Sequence, residues 1–358
     1  MKKLFLFALF AALCCSCTES GTDENTDPNG GSNSGQTTPP DPDSDAKDVI
    51  HVPKGGMLAG ILNELGLKSP SSLKLSGTLG VSDFTTLRNI QSLEHLDISR
   101  VNLSVLPTEA FLECTNIKSV ILPNTLTAIG TQAFWGSSLV SISIPASVEE
   151  IRGSAFFGCS SLKTVTFEKG SKLKTVAGFS HCTSLTTIEI PASVETIGQY
   201  AFNDCTSLHT VTFEKGSKLK TIGSDVFLNC TSLTMIEIPA SVETIEDQAF
   251  EGCSLLATVT FEKGSQLKTV DGFSNCTALT TVDMSACTQV TRIEYRAFYE
   301  DSKLQLFKIG TRTPPSCGRN VFTGINSYSV LKVPAGCVDA YKKAYYWKEF
   351  TTISELDE

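Results

Sequence analysis

The sequence predicts an α+β repeat solenoid, a right-handed coil of short strands with helical turns that is capped at both ends. The first observation is a repeat of about 23 residues, which is clearest in LTTIEIPASVETIGQYAFNDCTS, residues 185–207. The second is that the copies share two short apolar–polar alternations, followed by a phenylalanine and usually a cysteine. Repeats of this length bury their apolar side chains only against neighbouring repeats, so we expect one long stack.

The alternation within residues 185–207 predicts which side chains face inward. TIEI at 187–190 is predicted to be a strand that ends at Pro191, and VETI at 194–197 is predicted to be a second extended piece on the opposite side of the coil. The segment that follows is predicted to be a single helical turn. The predicted inward side chains are Leu185, Ile188, Ile190, Val194, Ile197, Ala201, Phe202 and Cys205.

The repeat divides the chain into rungs and two flanking caps. The leucine-rich rungs occupy 72–303, and they span 72–92, 93–116, 117–138, 139–161, 162–184, 185–207, 208–232, 233–255, 256–278 and 279–303. Residues 49–71 carry apolar side chains at helical spacing and end at Gly66, so they are predicted to form an N-terminal cap helix. Residues 304–358 are predicted to be an irregular terminal repeat and a C-terminal cap.

Residues 1–17, MKKLFLFALFAALCCSC, have the pattern of a secretory signal. Two lysines precede an apolar run from Leu4 to Leu13, which is too short to span a bilayer. The cysteines at its end make it look like a bacterial lipoprotein leader, in which the first mature residue is an acylated cysteine. Cys17 follows the small residue Ser16 and is the predicted lipidation site, with Cys15 as the second choice. A plain cleaved signal peptide is the alternative.

Residues 18–48 are acidic and contain almost no apolar side chains. Such a segment buries too little surface to offset the entropy of ordering it, so we expect a disordered tether that reaches about 30 Å. The formal charge of the chain is −9. Lysine and arginine are nowhere clustered, which argues against nucleic acid as a partner.

The recurring IPASVETI, AFxxC and CTSL motifs, and the end segment LKVPAGCVDAYKKAYYWKEFTTI, resemble the BspA-like leucine-rich repeat family of bacterial surface proteins. The resemblance covers about residues 47–352 and implies a leucine-rich repeat fold with adhesion or ligand binding at the cell surface. Surface lipoproteins of the Bacteroides group often carry an acidic cluster after the acylated cysteine. Here Glu19, Asp23 and Glu24 are spread out, so outward display and a periplasmic orientation both stay open.

Cysteine spacing favours buried thiols over disulfides. Equivalent positions on stacked rungs lie ~4.8 Å apart with parallel side chains, whereas a disulfide needs Cβ atoms ~3.8 Å apart and turned toward each other. The predicted ladder contains Cys114, Cys159, Cys182, Cys205, Cys230, Cys253 and Cys276, with Ser137 in the gap. Cys317 and Cys337 lie outside the ladder, and a disulfide between them is possible on sequence grounds.

The chemistry-bearing residues do not form a catalytic pattern. The histidines His51, His95, His181 and His209 have no neighbouring nucleophile and acid that would orient a base. Glu189 and Glu237 are predicted to lie roughly 10 Å apart, without a pocket to exclude water. No CxxC or HxxxH spacing occurs outside the leader. We therefore expect no enzyme, no metal and no cofactor.

Two surfaces are candidates for binding a partner. The first is the outward side of the longer strands, a polar ladder that the strand propensity of threonine explains without a binding role, the alternative being a flat polar sheet for protein or glycan contact. Its residues are Thr164, Thr166, Thr187, Glu189, Thr210, Thr212, Met235, Glu237, Thr258 and Thr260.

The second surface follows from the residue after the rung phenylalanine. This residue is Leu112, Trp135 and Phe157 in three consecutive rungs, which would align into an apolar strip. The alternatives are that another segment covers these side chains or that they point inward.

Together these features predict a cell-surface, non-catalytic adhesion or ligand-binding lipoprotein. Its expected partners are a protein or glycan ligand and, through the lipid anchor, the outer membrane, and we expect a monomer. The alternative is an accessory envelope lipoprotein that docks to another membrane protein, such as a nutrient-uptake assembly.

Overall fold

The computed structural model of the protein describes residues 48–357. The predicted leader with Cys17, and the tether up to residue 47, lie outside the described residues. The described helices are α1 (Leu58–Glu64), α2 (Val81–Asn89) and α3 (Val338–Lys343), with a short 3₁₀ helix at Trp347–Glu349. None of these helices is long and apolar enough to cross a bilayer.

Most of the regular structure consists of short strands. They are β1 (Val49–Val52), β2 (Ser72–Gly77), β3 (His95–Val101), β4 (Val105–Leu106), β5 (Ser119–Ile121), β6 (Ala128–Ile129), β7 (Ser141–Ile144), β8 (Glu150–Ile151), β9 (Thr164–Phe167), β10 (Thr175–Val176), β11 (Thr187–Ile190), β12 (Thr196–Ile197), β13 (Thr210–Phe213), β14 (Thr221–Ile222), β15 (Met235–Ile238), β16 (Thr244–Ile245), β17 (Thr258–Phe261), β18 (Thr269–Val270), β19 (Thr281–Met284), β20 (Arg292–Ile293), β21 (Leu306–Ile309), β22 (Ser316–Cys317), β23 (Val330–Val333) and β24 (Thr352–Glu355).

The strands form two faces of a solenoid, and every pairing is parallel. The longer strands follow the order β1-β2-β3-β5-β7-β9-β11-β13 and then β15-β17-β19-β21-β23-β24. The shorter strands follow the order β4-β6-β8 and then β10-β12-β14-β16-β18-β20-β22. Paired residues hold equivalent positions one rung apart, as Thr187 and Thr210 do, and the register shifts once, between β2 and β3 at Lys74–Ser76. The predicted repeat solenoid is confirmed, and its rungs are in register.

The third side of each rung is a chain of turns, and the predicted helical turn is wrong. In residues 198–205, Tyr200 and Asp204 have left-handed backbones with φ of 56° and 54°. The amide of Phe202 donates to the carbonyl of Val226 on the next rung, at 2.9 Å. Left-handed residues interrupt a helix, and they turn alternate amides toward the neighbouring rung.

The core is a column of phenylalanine rings, one from each rung. The column runs from Phe84 to Phe322, and the ring-centre distances lie between 4.8 Å, at Phe156–Phe179, and 5.9 Å, at Phe298–Phe322. All eight side chains predicted to face inward in residues 185–207 are at most 2% exposed. Offset stacking of this kind adds about 0.5–1.5 kcal/mol per pair to the burial of the rings.

The cysteine ladder is present as buried free thiols. The thiols of successive rungs donate to the phenylalanine carbonyl of the preceding rung, for example Cys205 to Phe179 and Cys230 to Phe202, each at 3.2 Å. Burial raises the pKa of the Cys205 and Cys253 thiols to about 12. These two thiols therefore stay neutral and hydrogen-bond adjacent rungs.

Both ends of the column are closed, although the N-terminal end differs from the expected single helix. There, β1 extends the sheet and α1 covers it, while α2 stands in place of turns in the first rung. The buried Asp83 accepts hydrogen bonds from the amides of Gly56, Leu58 and Gly80 and so joins the two helices.

The C-terminal end is closed by aromatic side chains. Trp347 and Phe350 pack against the last ring of the column, Phe322, at 5.2 and 4.9 Å. The indole of Trp347 also donates to the carbonyl of Pro315, at 3.0 Å.

Removing one ring should test how strongly the column stabilises the fold. Phe202→Ala should lower the free energy of unfolding by about 3–5 kcal/mol, because the rings on both sides lose their contacts and the backbone ladder prevents collapse of the cavity. Urea titration followed by circular dichroism measures this change. Tyr328→Ala, at a side chain that is 84% exposed, is the control and should change stability by less than about 0.5 kcal/mol. Equal effects of the two variants would contradict a core role for the column.

Asp301 occupies the ladder position that holds cysteine in most other rungs. The residue is 0% exposed, and its Oδ1 accepts a hydrogen bond from the amide of Cys276 at 2.8 Å. Its Oδ2 has no partner within residues 48–357. Burial raises the pKa of this carboxyl well above its usual value. The folded chain therefore favours the protonated acid.

Asp301→Asn should stabilise the protein more at pH 8 than at pH 4. Because the folded pKa is raised, the stability contributed by the protonated acid is complete below the unfolded pKa of about 4 and is lost as pH rises toward the folded pKa. The amide keeps the acceptor for Cys276 and carries no charge, so its advantage at pH 8 should be on the order of 1–3 kcal/mol. Melting temperatures of both proteins at the two pH values measure the difference. A pH-independent difference would show that Asp301 is not the titrating group.

Candidate binding site on the turn edge

The stacked turns form a surface that we call the turn edge, represented in one rung by residues 198–205. It carries the predicted apolar strip. Trp135 and Phe157 are half-buried, and their rings are stacked at 4.1 Å with an interplanar angle of 23°. Leu112 holds the equivalent position one rung earlier and is also half-buried. These side chains therefore lie against the surface of the turns, with part of each exposed to solvent.

His181, which was not predicted to belong to the strip, extends the strip by one rung. The ring of His181 meets Phe157 edge-on at 4.9 Å. The Nε2 atom of His181 lies 3.7 Å from Oδ2 of Asp204 on the following rung. The aromatic surface thus changes within one rung into a polar surface.

Two rungs have shortened turns, and each produces a notch in the turn edge. VAGFSHC at 176–182 is two residues shorter than its neighbours IRGSAFFGC at 151–159 and IGQYAFNDC at 197–205. The short segment turns at Gly178, where φ is +92° and a β-carbon would lie 3.1 Å from the amide nitrogen of Ala155. The close approach of this backbone to the preceding rung leaves a gap beside it.

The same deletion recurs four rungs later. VDGFSNC at 270–276 lies between the full-length turns at 245–253 and 293–301. Gly272 has φ of +84°, and a β-carbon there would collide with the amide nitrogen of Ala249. The two gaps are lined by equivalent residues of three consecutive rungs.

The first gap, which we call the aromatic notch, has a volume of about 350 Å³. Its lining includes Phe157, Ala177, Ser180, His181, Tyr200 and Asn203. The hydroxyl of Ser180 donates to Oδ1 of Asn203 at 3.2 Å, which orients the amide. Because Phe157 belongs to both, the strip and the aromatic notch form one continuous surface of rings and neutral polar groups.

The second gap, which we call the acidic notch, has a volume of about 200 Å³. Its lining includes Asp247, Glu251, Asp271, Tyr295, Arg296 and Tyr299. The guanidinium of Arg296 lies over the rings of Tyr295 and Tyr299, 5.0 and 4.7 Å from their centres. Burial raises the pKa of Asp271 to about 7, and the charges of Asp247, Glu294 and Glu251 act in the same direction.

The strand face presents the ladder of polar side chains predicted from the sequence. Thr164, Thr166, Thr187, Glu189, Thr210, Thr212, Met235 and Glu237 are exposed, while Thr258 and Thr260 are half-buried. Backbone pairing aligns Thr187 with Thr210 and Glu189 with Thr212, but β13 and β15 are not paired. The face is therefore divided into two segments, and a small cavity near Glu189 measures about 180 Å³.

The remaining candidate residues lie at the C-terminal end. Cys317 and Cys337 are both free thiols, so the possible disulfide between them is not formed. Both thiols lie near Tyr341, whose hydroxyl donates to the carbonyl of Thr311 at 2.8 Å. Within residues 48–357, no group of three or more His, Cys, Asp or Glu side chains is arranged to hold a metal ion.

The fold and these surfaces define a leucine-rich repeat solenoid. A family profile described as "BspA type Leucine rich repeat region (6 copies)" matches residues 83–177, 172–305 and 269–356. The chain belongs to this family of BspA-type leucine-rich repeat proteins. Leucine-rich repeat domains generally mediate protein binding.

Several solved structures are similar to the chain. A leucine-rich repeat protein from Bacteroides ovatus is 23% identical, with 80% of this chain and 82% of that chain covered and a TM-score of 0.48. A leucine-rich cell surface protein from Faecalibacterium prausnitzii is 24% identical, with coverages of 59% and 72% and a TM-score of 0.36. A leucine-rich repeat protein from T. pallidum is 23% identical, with coverages of 59% and 86% and a TM-score of 0.43. No curated protein sequence matches the chain.

Sequence reasoning missed both notches, although the signal was present. The phenylalanines align from rung to rung, as do the cysteines where they are present, and this alignment hides the two missing residues before Phe179 and Phe273. Counting residues from the end of each short strand to the phenylalanine would have shown both deletions. Asn203, the residue after the phenylalanine of its rung, lies in the wall of the aromatic notch.

Proposed function

We propose that this protein is a non-catalytic adhesion or ligand-binding module, displayed at the cell surface as a lipoprotein acylated at Cys17. In this proposal it contacts a protein or glycan partner through the turn edge. The observation that carries the proposal is the stacked, half-buried pair of Trp135 and Phe157, which opens directly into the aromatic notch.

The chemistry of this surface suits recognition. Partly exposed aromatic side chains are enriched at the energetically important centres of interfaces, because they contribute a large contact area with little loss of conformational entropy. The rings of Trp135 and Phe157 already support each other, so little ordering is needed when a partner binds. Ser180, His181 and Asn203 add hydrogen-bonding groups beside them.

The cellular address in this proposal is supported by the sequence. The apolar run of the leader ends in small residues and cysteines, and the polar, acidic residues 18–48 separate Cys17 from the first strand. A segment of this composition suits a tether between a lipid anchor and a folded module.

Truncating the aromatic pair tests the binding surface. The full-length protein should be used to recover a partner from intact cells and from host matrix. The double variant Trp135→Ala/Phe157→Ala should bind the recovered partner at least about tenfold more weakly, because the central aromatic contacts are lost. Surface plasmon resonance measures the affinity, and a melting curve shows whether the fold persists.

The matched control is Tyr345→Ala, which removes an aromatic ring that is 70% exposed near the C-terminus. It should leave the affinity unchanged. If the double variant binds normally, the strip is not the contact surface. If it unfolds at a much lower temperature, Trp135 and Phe157 serve mainly as core.

Protease treatment of intact cells tests the proposed display. A surface-exposed lipoprotein should be released or degraded by added protease while a periplasmic marker protein stays intact. Complete protection of the solenoid would contradict the adhesin role. It would favour the alternative, an accessory envelope lipoprotein that docks to another membrane protein.

A further inference from the structure

A different edge of the solenoid carries the loops that join the longer strands to the shorter ones. In three alternate rungs this loop reads EKGSK or EKGSQ, at 168–172, 214–218 and 262–266, and we call these three segments the lysine loops. The rungs between them have an uncharged Pro-Ala-Ser turn that is two residues shorter, for example at 191–193. Because the strands on both sides are in register, the two extra residues of each lysine loop have to project from the edge.

Each lysine loop is fixed to the preceding rung at two points. In the second loop, Oε2 of Glu214 accepts a hydrogen bond from the amide of Ala192 at 2.8 Å, and the amide of Lys218 donates to the carbonyl of Ala192 at 3.2 Å. The first and third loops repeat both bonds with Ala146 and Ala240. The three loops are therefore held in one shape, so a ligand that binds them has little ordering to offset.

The lysine side chains of these loops are exposed and unpaired. None of them forms an ion pair or a side-chain hydrogen bond within residues 48–357. They are Lys169, Lys172, Lys215, Lys218 and Lys263. The glutamate of each loop is bonded to a backbone amide, so no carboxylate of the described chain neutralises these ammonium groups by direct contact.

The lysines that immediately precede the shorter strands are different, because they are paired with glutamates of neighbouring rungs. Lys174 lies 2.6 Å from Glu195, and Glu243 lies between Lys220 and Lys268, at 2.9 and 2.6 Å. The ion pair with Lys174, together with the charge of Lys218, lowers the pKa of Glu195. The positive charge that remains available to a ligand is therefore concentrated on the lysine loops.

We propose that the lysine loops bind a linear acidic polysaccharide that lies along this edge, with its carboxylate or sulfate groups on Lys169, Lys215 and Lys263. These lysines recur at every second rung, about 10 Å apart at ~4.8 Å per rung. In an extended polysaccharide of alternating acidic and neutral sugars, the charges likewise recur on every second unit, and one sugar is about as long as a rung. An ammonium is a compact charge with three donors, which suits such single acidic groups.

Other polyanions match this edge less well. The lysine loops and the Pro-Ala-Ser turns between them contain no arginine and no aromatic side chain on which the bases of a nucleic acid could stack. They also contain no exposed apolar side chain that could anchor a protein partner. A repeating charge without anchors favours a polymer whose own charges repeat.

This proposal goes beyond the function proposed above, because it assigns a ligand to a second edge of the solenoid. Lys169, Lys215 and Lys263 are 46 and 48 residues apart in the sequence, and the fold aligns them. Binding at the lysine loops does not involve Trp135 or Phe157, so either proposal can fail while the other holds.

Binding is measured by the fluorescence anisotropy of a labelled chondroitin sulfate octasaccharide with the full-length protein in detergent. Binding should be saturable and should weaken at least about tenfold between about 50 and about 250 mM NaCl, because salt screens exposed charges. A chondroitin sulfate disaccharide, which reaches a single lysine loop, should bind at least about tenfold more weakly than the octasaccharide. Absence of saturable binding, or equal binding of the two lengths, would overturn the proposal.

Variants locate the binding on the lysine loops. Lys169→Gln/Lys215→Gln/Lys263→Gln should weaken octasaccharide binding at least about tenfold, because three aligned charges are lost. Its melting temperature should stay close to that of the native protein, since the side chains are exposed and unpaired.

The matched control is Lys303→Gln/Lys342→Gln/Lys343→Gln, which removes the same charge from exposed lysines outside the lysine loops. It should bind the octasaccharide within about twofold of the native protein. Equal losses in the two triple variants would show that the net charge, and not the lysine loops, determines binding.

Two competitors test the class of ligand. Oligodeoxythymidine and polyglutamate of the same total charge should displace the octasaccharide at least about tenfold less effectively than unlabelled chondroitin sulfate does. If either competitor is as effective as chondroitin sulfate, the lysine loops do not select a polysaccharide and the assignment of the ligand is wrong.

Discussion

The contact between successive rungs is the interaction on which the rest of this structure depends. No rung has a core of its own, because Phe202 is covered by Phe179 on one side and Phe227 on the other. The same contact sets the backbone register, the hydrogen bonds of the thiols and the spacing of the outward side chains. It also explains the caps, since the first and last rings would otherwise face water. At one end α1 and α2 cover the stack, and at the other Trp347 and Phe350 do so.

Stacking explains why the inward residues were predictable from the sequence. In a solenoid, an apolar side chain that recurs about every 23 residues points into the core shared with the neighbouring rungs. Ile188, Ile197 and Phe202 are buried as the alternation predicted. The burial of the cysteine ladder was predictable by the same argument. The turns were not predictable in this way, because an i, i+1, i+4 pattern such as Ala201, Phe202 and Cys205 fits either a helical turn or alternating left-handed residues. The choice depends on amides that bond to the next rung, which is a contact between repeats and not a local preference.

The candidate site was predictable only in part. Trp135 and Phe157 were identified because their positions align, and the structure places them in contact. The notches escaped notice because they arise from residues that are missing. Asp271 escaped notice because a single aspartate in a loop is ordinarily exposed. Asp271 is buried because Gly272 brings the short turn against the preceding rung, which places the Asp271 side chain in the gap.

The differences among rungs are distributed unevenly over the surface of the solenoid. The stack requires similar inward residues in every rung, and the strand face repeats threonine at Thr164, Thr187 and Thr210. The turn edge need not carry similar side chains in every rung, because its outward side chains extend from a backbone that already hydrogen-bonds to the neighbouring rungs. Identical deletions there are lined by Phe157 in one notch and by Glu251 in the other. The same two-residue deletion thus produces two notches of different chemistry on the same edge.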